Sequence, residues 1–411
     1  MPRVDYSCIA GLAPASRFDP GALTIAMSLI VDEHRQYLSD QNRLDAFRRA
    51  IDELVKPGSV VMDLGAGTGI MGLLACRAGA SRVYCIEQTS LIGLAREIAR
   101  ANGFDDRITF IKELSTQAQL PERADVVVAD QIGRFGFDAG IFEYFSDARR
   151  RFLKPEGVLL PSRIDLIVAP VEREDLRRQV EFWNESPAGF DFRPARKLAV
   201  NTGYPTKFQP QDLLASPAII ASLDMAQCSA SIPGLEASMQ LERAGTIHGI
   251  GGWFSAQLSP CVTMSNGPLE PKSIGRRNVF FPIDRPVTVA KGDSVRVSMT
   301  IQPNEKMVAW NVEVHGKPAV GGGKGAAKAR FTHSTFQGML LCKEDLETAR
   351  PGFAPSLTPR GEGRRSILEM CDGRTSLAEI EREVYRRHPE LFPSSSEAAA
   401  FVAEVVSRYG Q

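Results

Sequence analysis

Apolar and polar positions follow two regimes along the chain. Between residues 22 and 54 the apolar side chains, among them Leu29, Ile30, Leu44, Phe47 and Ile51, fall at helical spacing and predict one or two amphipathic helices. Short apolar runs at 60–64, 82–86, 107–111, 125–129 and 157–160 then recur between helical or loop segments, the pattern of a parallel sheet. Pro161 marks a change to a mostly β texture. Val295, Val297, Met299 and Ile301 alternate, Asn304-Glu305-Lys306 turns the chain, and Val308, Trp310, Val312 and Val314 alternate back, which predicts a hairpin with one buried face. The interval 178–215, richer in proline and polar residues, interrupts this texture as an arm. Its Phe182, Trp183, Phe190 and Phe192 are expected to be exposed until a second subunit covers them. The stretch from Gly321 to Lys328 has the composition of a flexible linker, and Pro318 rules out a P-loop there. Beyond it, Ser376-Leu377-Ala378-Glu379 is a capping box opening a helix with Leu377, Ile380 and Val384 on one face. Ser394-Ser395-Ser396-Glu397 opens another, with Phe401, Val402, Val405, Val406 and Tyr409 facing inward and Gly410 ending it.

The run Val60-Val61-Met62-Asp63-Leu64-Gly65-Ala66-Gly67-Thr68-Gly69 adds chemistry to this pattern. Branched apolar residues make a buried strand, an acid follows, and Gly65, Gly67 and Gly69 open a helix. Glycine lets the backbone press against a ligand with no Cβ between them. A second acid, Glu87, ends the strand predicted over 81–87 and is placed to take the two hydroxyls of a ribose. Together they point to a nucleoside cofactor on a doubly wound α/β sheet. Gly67-Thr68-Gly69-Ile70-Met71-Gly72 also satisfies the dinucleotide pattern G-x-G-x-x-G, whose helix faces a pyrophosphate. Asp63 argues against that reading, because a carboxylate there repels a pyrophosphate and suits the ammonium of an amino-acid moiety. S-adenosylmethionine carries that ammonium and no phosphate. It is the expected cofactor, with a dinucleotide-dependent oxidoreductase as the rival.

The segments VVMDLGAGTGIMGLLACRAGASRVYCIEQTS, NGFDDRITFIKE, LPERADVVVAD and RRFLKPEGVLLPSRIDLIVAPVE resemble the catalytic core of the protein arginine methyltransferases. Phe182-Trp183 with Gly189-Phe190-Asp191 resembles that family's dimerisation arm, and residues 247–254 and 289–293 resemble its β-barrel, so the likeness spans roughly 20 to 315. It implies a Rossmann-like cofactor domain, a barrel with an arm, a homodimer, and methyl transfer from S-adenosylmethionine. Asp32-Glu33-His34-Arg35 resembles the helix whose arginine clamps the cofactor carboxylate, which makes Arg35 the candidate clamp. Ser115 and Thr116 align with the adenine-contacting segment.

The family grips a guanidinium between two glutamates on the loop after the fourth strand. Here that loop runs from Ala129 to Gly140. Asp130 takes the first glutamate's place and Ala139 the second's, while Asp138 lies one residue early and Glu143 four residues late. Arg134 adds a positive charge inside the loop, and Ser273-Ile274-Gly275-Arg276-Arg277 stands where the family has Thr-His-Trp. Arg17-Phe18-Asp19-Pro20 replaces its tyrosine-rich first helix. One carboxylate can orient an amine, an amide-like nitrogen, an imidazole or a hydroxyl. It cannot make a two-sided cradle for a delocalised cation. Asp130 is therefore the candidate base or acceptor anchor, with Asp138 or Glu143 as compensating acids.

Length and composition fit this reading. The 411 residues suggest two or three domains, and 49 basic against 49 acidic residues leave no net charge to attract nucleic acid or an acidic membrane. No apolar run is long enough for a membrane span, and the N-terminus lacks a signal peptide's apolar core. Seven cysteines (8, 76, 85, 228, 261, 342, 371) without a C-x-x-C are expected as reduced, buried thiols of a cytoplasmic protein, and the five scattered histidines suggest no metal site. The stretch Ile367–Arg374 resembles the PqqD-like family of small winged-helix domains, which bind leader peptides of ribosomally made natural products. The expected layout is 1–160 for the first helices and the Rossmann-like domain, 161–338 for the barrel and arm, and 339–411 for the PqqD-like domain. The expected activity is methylation of a peptide or small amino-acid-like acceptor, in a precursor peptide if residues 339–411 read its leader. A true arginine methyltransferase with a rearranged acidic loop and an inactive cofactor-binding scaffold are the alternatives.

Overall fold

The computed structural model describes residues 20–227, 232–303, 305–317 and 325–409. Arg17, Phe18, Asp19, Cys8, Cys228, Asn304, Gly410 and the Gly321–Lys324 stretch lie outside those residues, as does the side chain of Leu29. The described chain divides into two compact units, one of residues 36–340 and one that joins residues up to 35 with those from 341 onward.

Helix α1 (Pro20–Ser39) runs across the division between the units, and α2 (Gln41–Leu54) belongs to the larger one. Asp40 caps α2, its side chain accepting the N–H of Arg43 at 3.2 Å, and Phe47, Ala50 and Ile51 face the core. Strands β1 (Val60–Leu64), β2 (Arg82–Ile86), β3 (Ile108–Ile111), β4 (Ala124–Ala129) and β5 (Leu153–Leu160) form a parallel sheet in the order β3-β2-β1-β4-β5. Helices α3 (Ile70–Ala78), α4 (Leu91–Ala101) and α5 (Ile141–Arg151) connect its strands. Every residue of β1 is buried, as a central strand covered on both faces requires. The strand order reverses between β1 and β4, and ligands of such sheets bind at the carboxyl ends of the strands flanking that point.

The chain then turns antiparallel. β6 (Arg163–Val171), α6 (Glu174–Glu181), α7 (Arg196–Ala199), β7 (Tyr204–Thr206), β8 (Ala218–Asp224), β9 (Ile232–Gln240), β10 (Gly245–Ser259), β11 (Val262–Ser265), β12 (Asn278–Val289), β13 (Ser294–Gln302), β14 (Met307–His315) and β15 (Ala327–Ser334) follow in order. One sheet runs β7-β12-β10-β6-β8 with β11 against β10, and a second runs β15-β14-β13-β9. The hairpin expected from the alternation is β13–β14, with Val295, Val297, Met299, Ile301, Val308, Trp310, Val312 and Val314 all buried. Trp310 donates its indole N–H to the Pro282 carbonyl at 3.0 Å. One continuous core joins these sheets to the parallel sheet. In the arm, Phe182, Phe190 and Phe192 are exposed, whereas Trp183 is half-buried against Phe182 and Phe192.

The smaller unit contains α8 (Lys343–Thr348), α9 (Pro359–Met370), α10 (Leu377–Arg387) and α11 (Ser395–Tyr409). No strand occurs among its described residues, so the wing of a winged helix is not among them. Ser376 and Glu379 form the capping box of α10. Ile367, Ile380, Val384, Phe392, Ala398, Phe401, Val402 and Val405 make its core. Leu377 and Tyr409, expected inside, are exposed, because three short helices bury only a narrow stripe of each. Ile30 is exposed as well. Cys76 and Cys85 are buried free thiols, but Cys261, Cys342 and Cys371 are free and exposed, against the expectation of buried thiols throughout. No described helix is long and apolar enough to cross a membrane.

Candidate functional site

The glycine turn after β1 has the conformation its sequence requires. Gly65, Gly67 and Gly69 take φ of 65°, 55° and 80°, values that a side chain disfavours. A Cβ on Gly65 would also stand 1.7 Å from Nε2 of Gln131, which donates to the Leu64 carbonyl at 2.9 Å. A cleft opens beside this turn. Gly65, Glu87 and Ser115 border it, together with Gln88, Glu113, Gln131, Ala139 and Tyr144. Glu87 is half-buried at the end of β2. Its Oε2 accepts the N–H of Gly67 at 3.1 Å and its Oε1 that of Thr89 at 2.8 Å. A carboxylate accepts about four hydrogen bonds, so half of its capacity is open for a diol. Arg151 fixes the backbone that follows the cleft residue Ser115, donating to the carbonyls of Ser115 and Ala118, both at 2.6 Å. Thr116 is half-buried and does not border the cleft. Arg35 is exposed in the other unit and pairs with Asp32 of its own helix at 2.7 Å.

Asp63 is buried at the end of β1, where its Oδ2 accepts the N–H of Gly72 in α3 at 3.0 Å. Its carboxylate thus anchors the helix that follows the turn, and it is not part of the cleft wall. Burial pushes its pKa up to about 7; the Gly72 N–H works the other way, and Glu87 adds repulsion. A carboxyl raised in the folded state stabilises fully below its unfolded value near 4 and loses that contribution as the pH rises through about 7. Asp63→Asn is therefore expected to unfold at a higher temperature than the wild type above pH 7 and at an equal one near pH 4, which thermal melts at the two pH values measure.

The loop after β4 brings Asp130 to the end of the parallel sheet beside Gln131. Its Oδ2 accepts from Nε of Arg43 at 2.6 Å and from Nη2 of Arg276 at 2.9 Å, and all three side chains are largely buried. Burial opposes ionisation of Asp130, but Arg276 and Arg43 outweigh it and hold the carboxyl below its ordinary range. Asp130 is therefore held ionised and is poorly suited to act as a base. Asp138 does not join it: its Oδ1 accepts the backbone N–H groups of Arg134 at 2.7 Å and Phe135 at 2.9 Å, which shapes the loop. Glu143 is exposed in the first turn of α5. Ala139 lies on the cleft wall with no acid to offer.

Arg43, Gln131 and Arg276 were not singled out by the sequence as site residues. Arg43 left a signal, since it lies four and seven residues before Phe47 and Ala50 on the buried face of α2. Arg276 lies in the stretch that stands where the family has Thr-His-Trp, but nothing local marks it as a partner of Asp130, because what places it is a set of distant bonds. His248 accepts the N–H of Arg173 through Nδ1 at 2.8 Å, a structural role.

The cleft suits the expected methyl donor. Among the described residues its walls carry two acids, Glu87 and Glu113, and no lysine, arginine or histidine, so a pyrophosphate would meet repulsion without a counter-cation from them. Residues 162–311 match the model of the arginine methyltransferase oligomerization subdomain, and residues 48–164 that of the ribosomal protein L11 methyltransferase. Protein arginine N-methyltransferase 6 of Xenopus laevis is 28% identical over 294 residues, covering 67% of this chain and 85% of the relative. Protein arginine N-methyltransferase 1.1 of Arabidopsis thaliana is 27% identical over 282 residues, covering 66% and 72%. Among solved structures, Arabidopsis thaliana protein arginine methyltransferase 10 superposes with a TM-score of 0.63 at 23% identity, over 74% of this chain and 97% of its own. The Trypanosoma brucei PRMT1 enzyme–prozyme heterotetrameric complex with AdoHcy gives 0.64 at 20%, over 73% and 97%. The chain is an S-adenosylmethionine-dependent methyltransferase on a Rossmann-like α/β fold, similar to the protein arginine methyltransferases.

Proposed function

We propose that this methyltransferase transfers the methyl group of S-adenosylmethionine to a nitrogen of a peptide or small amino-acid-like acceptor held at Asp130. The carrying observation is the pairing of Glu87, with acceptor capacity open at the cleft, and Asp130, at the end of the neighbouring half of the sheet. Bound, the donor supplies an electrophilic methyl on a sulfonium. Glu87 takes the ribose hydroxyls, the glycine turn gives the backbone room to approach, and Ser115 borders the adenine end. Asp130 orients the acceptor and offsets the positive charge that moves onto it. Arg35 as the clamp of the donor's carboxylate belongs to this reading as an expectation from the family resemblance, and Asp63 as the partner of its ammonium as one from the charge of the residues themselves. A homodimer is part of it too, supported by the exposed Phe182, Phe190 and Phe192 of the arm.

A second reading, methylation of a protein arginine, is favoured by the names of the relatives. A precursor peptide presented by residues 339–411 rests on the motif at 367–374. The test is incubation of the full chain with methyl-labelled donor and a mixed peptide pool, followed by mass spectrometry. Label localised to one side-chain type is the expected result. A chain that binds the donor and leaves all label in it would be a scaffold, and the proposal would fall.

A further inference from the structure

Asp130 is already engaged on one side before any acceptor arrives. Arg43 and Arg276 both donate to its Oδ2, at 2.6 and 2.9 Å. Neither is a surface cation free to swing away. Arg43 also donates to the Tyr37 carbonyl at 3.2 Å and lies over the Phe47 ring at 5.4 Å. Arg276 is fixed through the backbone around it. Asp40 accepts the N–H of Gly275 at 2.7 Å, and Lys207 donates to the carbonyls of Ile274 at 2.7 Å and Arg276 at 3.2 Å. Asn266 bridges the two loops by donating to the carbonyls of Arg134 and Arg277, both at 2.9 Å. Two guanidiniums on one carboxylate leave a net positive charge, in a buried place where salt screens weakly. Oδ1 of Asp130 and Oε1 of Gln131, adjacent in sequence, are buried oxygens that no donor among the described residues reaches. Buried acceptors without a donor are rare in folded proteins and mark a place where one is missing.

We propose that this pre-paired carboxylate selects an uncharged nitrogen acceptor carrying its own N–H, an imidazole side chain, over a guanidinium cation. The inference rests on the methyltransferase reading of the same site. A guanidinium would bring a further positive charge beside Arg43 and Arg276 and would find Oδ2 occupied; Asp138, the nearest further acid of the loop, turns its Oδ1 to two backbone N–H groups and its Oδ2 toward Arg134 at 3.9 Å. A neutral imidazole donates its N–H to Oδ1 of Asp130 and keeps a lone pair on the other ring nitrogen. That lone pair forms the N–C bond to the donor's methyl as the C–S bond breaks, and the C–S electron pair stays on sulfur. The methylimidazolium so formed takes over the positive charge that the sulfonium loses, so the charge of the site is unchanged by the step, and its N–H proton passes to water after release. No base has to act before attack, in keeping with an Asp130 held ionised by two cations.

Calorimetry on the full chain saturated with S-adenosylhomocysteine tests this at pH 8, where an imidazole with a pKa of about 6.5 is neutral. N-acetyl-histidinamide is expected to bind at least tenfold tighter than N-acetyl-argininamide. Arg276→Ala should shift that ratio at least tenfold toward arginine, and Arg276→Gln, which keeps more of the side chain, should move it the same way. Equal or tighter binding of the arginine compound by the wild type, or binding of neither, overturns the inference whether or not the variants fold. Failure of S-adenosylhomocysteine itself to bind would instead overturn the methyltransferase reading.

Discussion

Replacing Glu87 by alanine is expected to weaken binding of S-adenosylhomocysteine about a hundredfold. Hydrogen bonds to a charged acceptor contribute about 1.5–3 kcal/mol each, and a ribose diol offers two, so about 3 kcal/mol is a conservative loss. The carboxylate also fixes the N–H groups of Gly67 and Thr89, so the turn loosens with it. Glu87→Gln keeps one acceptor oxygen and should fall between the two. Titration calorimetry on variants with an unchanged near-ultraviolet dichroism spectrum gives the number. An alanine variant that binds as tightly as the wild type would remove Glu87 from the ribose site.

Asp130→Ala should lose both stability and methyl transfer. It leaves Arg43 and Arg276 buried with their shared counter-ion gone, and breaking a buried ion pair from one side costs about 3–5 kcal/mol. For a unit of this size that corresponds to a drop in unfolding temperature of roughly 10 °C. Turnover should fall at least about a hundredfold, the effect of removing one electrostatic stabiliser from a reaction site. Thermal melts and labelled-methyl transfer on the same sample report both effects. Full turnover in a destabilised variant would confine Asp130 to holding the two loops together.

The parallel sheet was legible because each of its strands carries a short apolar run set off by a glycine or polar break, although β5 begins at Leu153 and includes Lys154, Pro155 and Glu156 before its run at 157–160. Glu87 was legible for the same reason, since the position after a second strand sits beside the turn after the first. The acidic loop was only half legible. Asp130 stands where expected, but its partners lie 87 and 146 residues away, and no local pattern marks a pair made by tertiary packing. Asp138 and Glu143 are acids of the right charge whose roles depend on the loop's path: one turns back onto its own backbone and the other faces solvent. Asp63 shows the same limit, because an acid at a strand end can point to a ligand or to the following helix, and here it meets Gly72. In the smaller unit the capping box was readable from four residues, whereas the exposure of Leu377 depends on how few neighbours a short helical bundle provides.

The most direct measurement is a crystal structure of the complex with S-adenosylhomocysteine. The ribose hydroxyls are expected within hydrogen-bond distance of the Glu87 carboxylate, with the sulfur turned toward Asp130. A ligand bound elsewhere, or one in this cleft with its ribose out of reach of Glu87, would contradict the account.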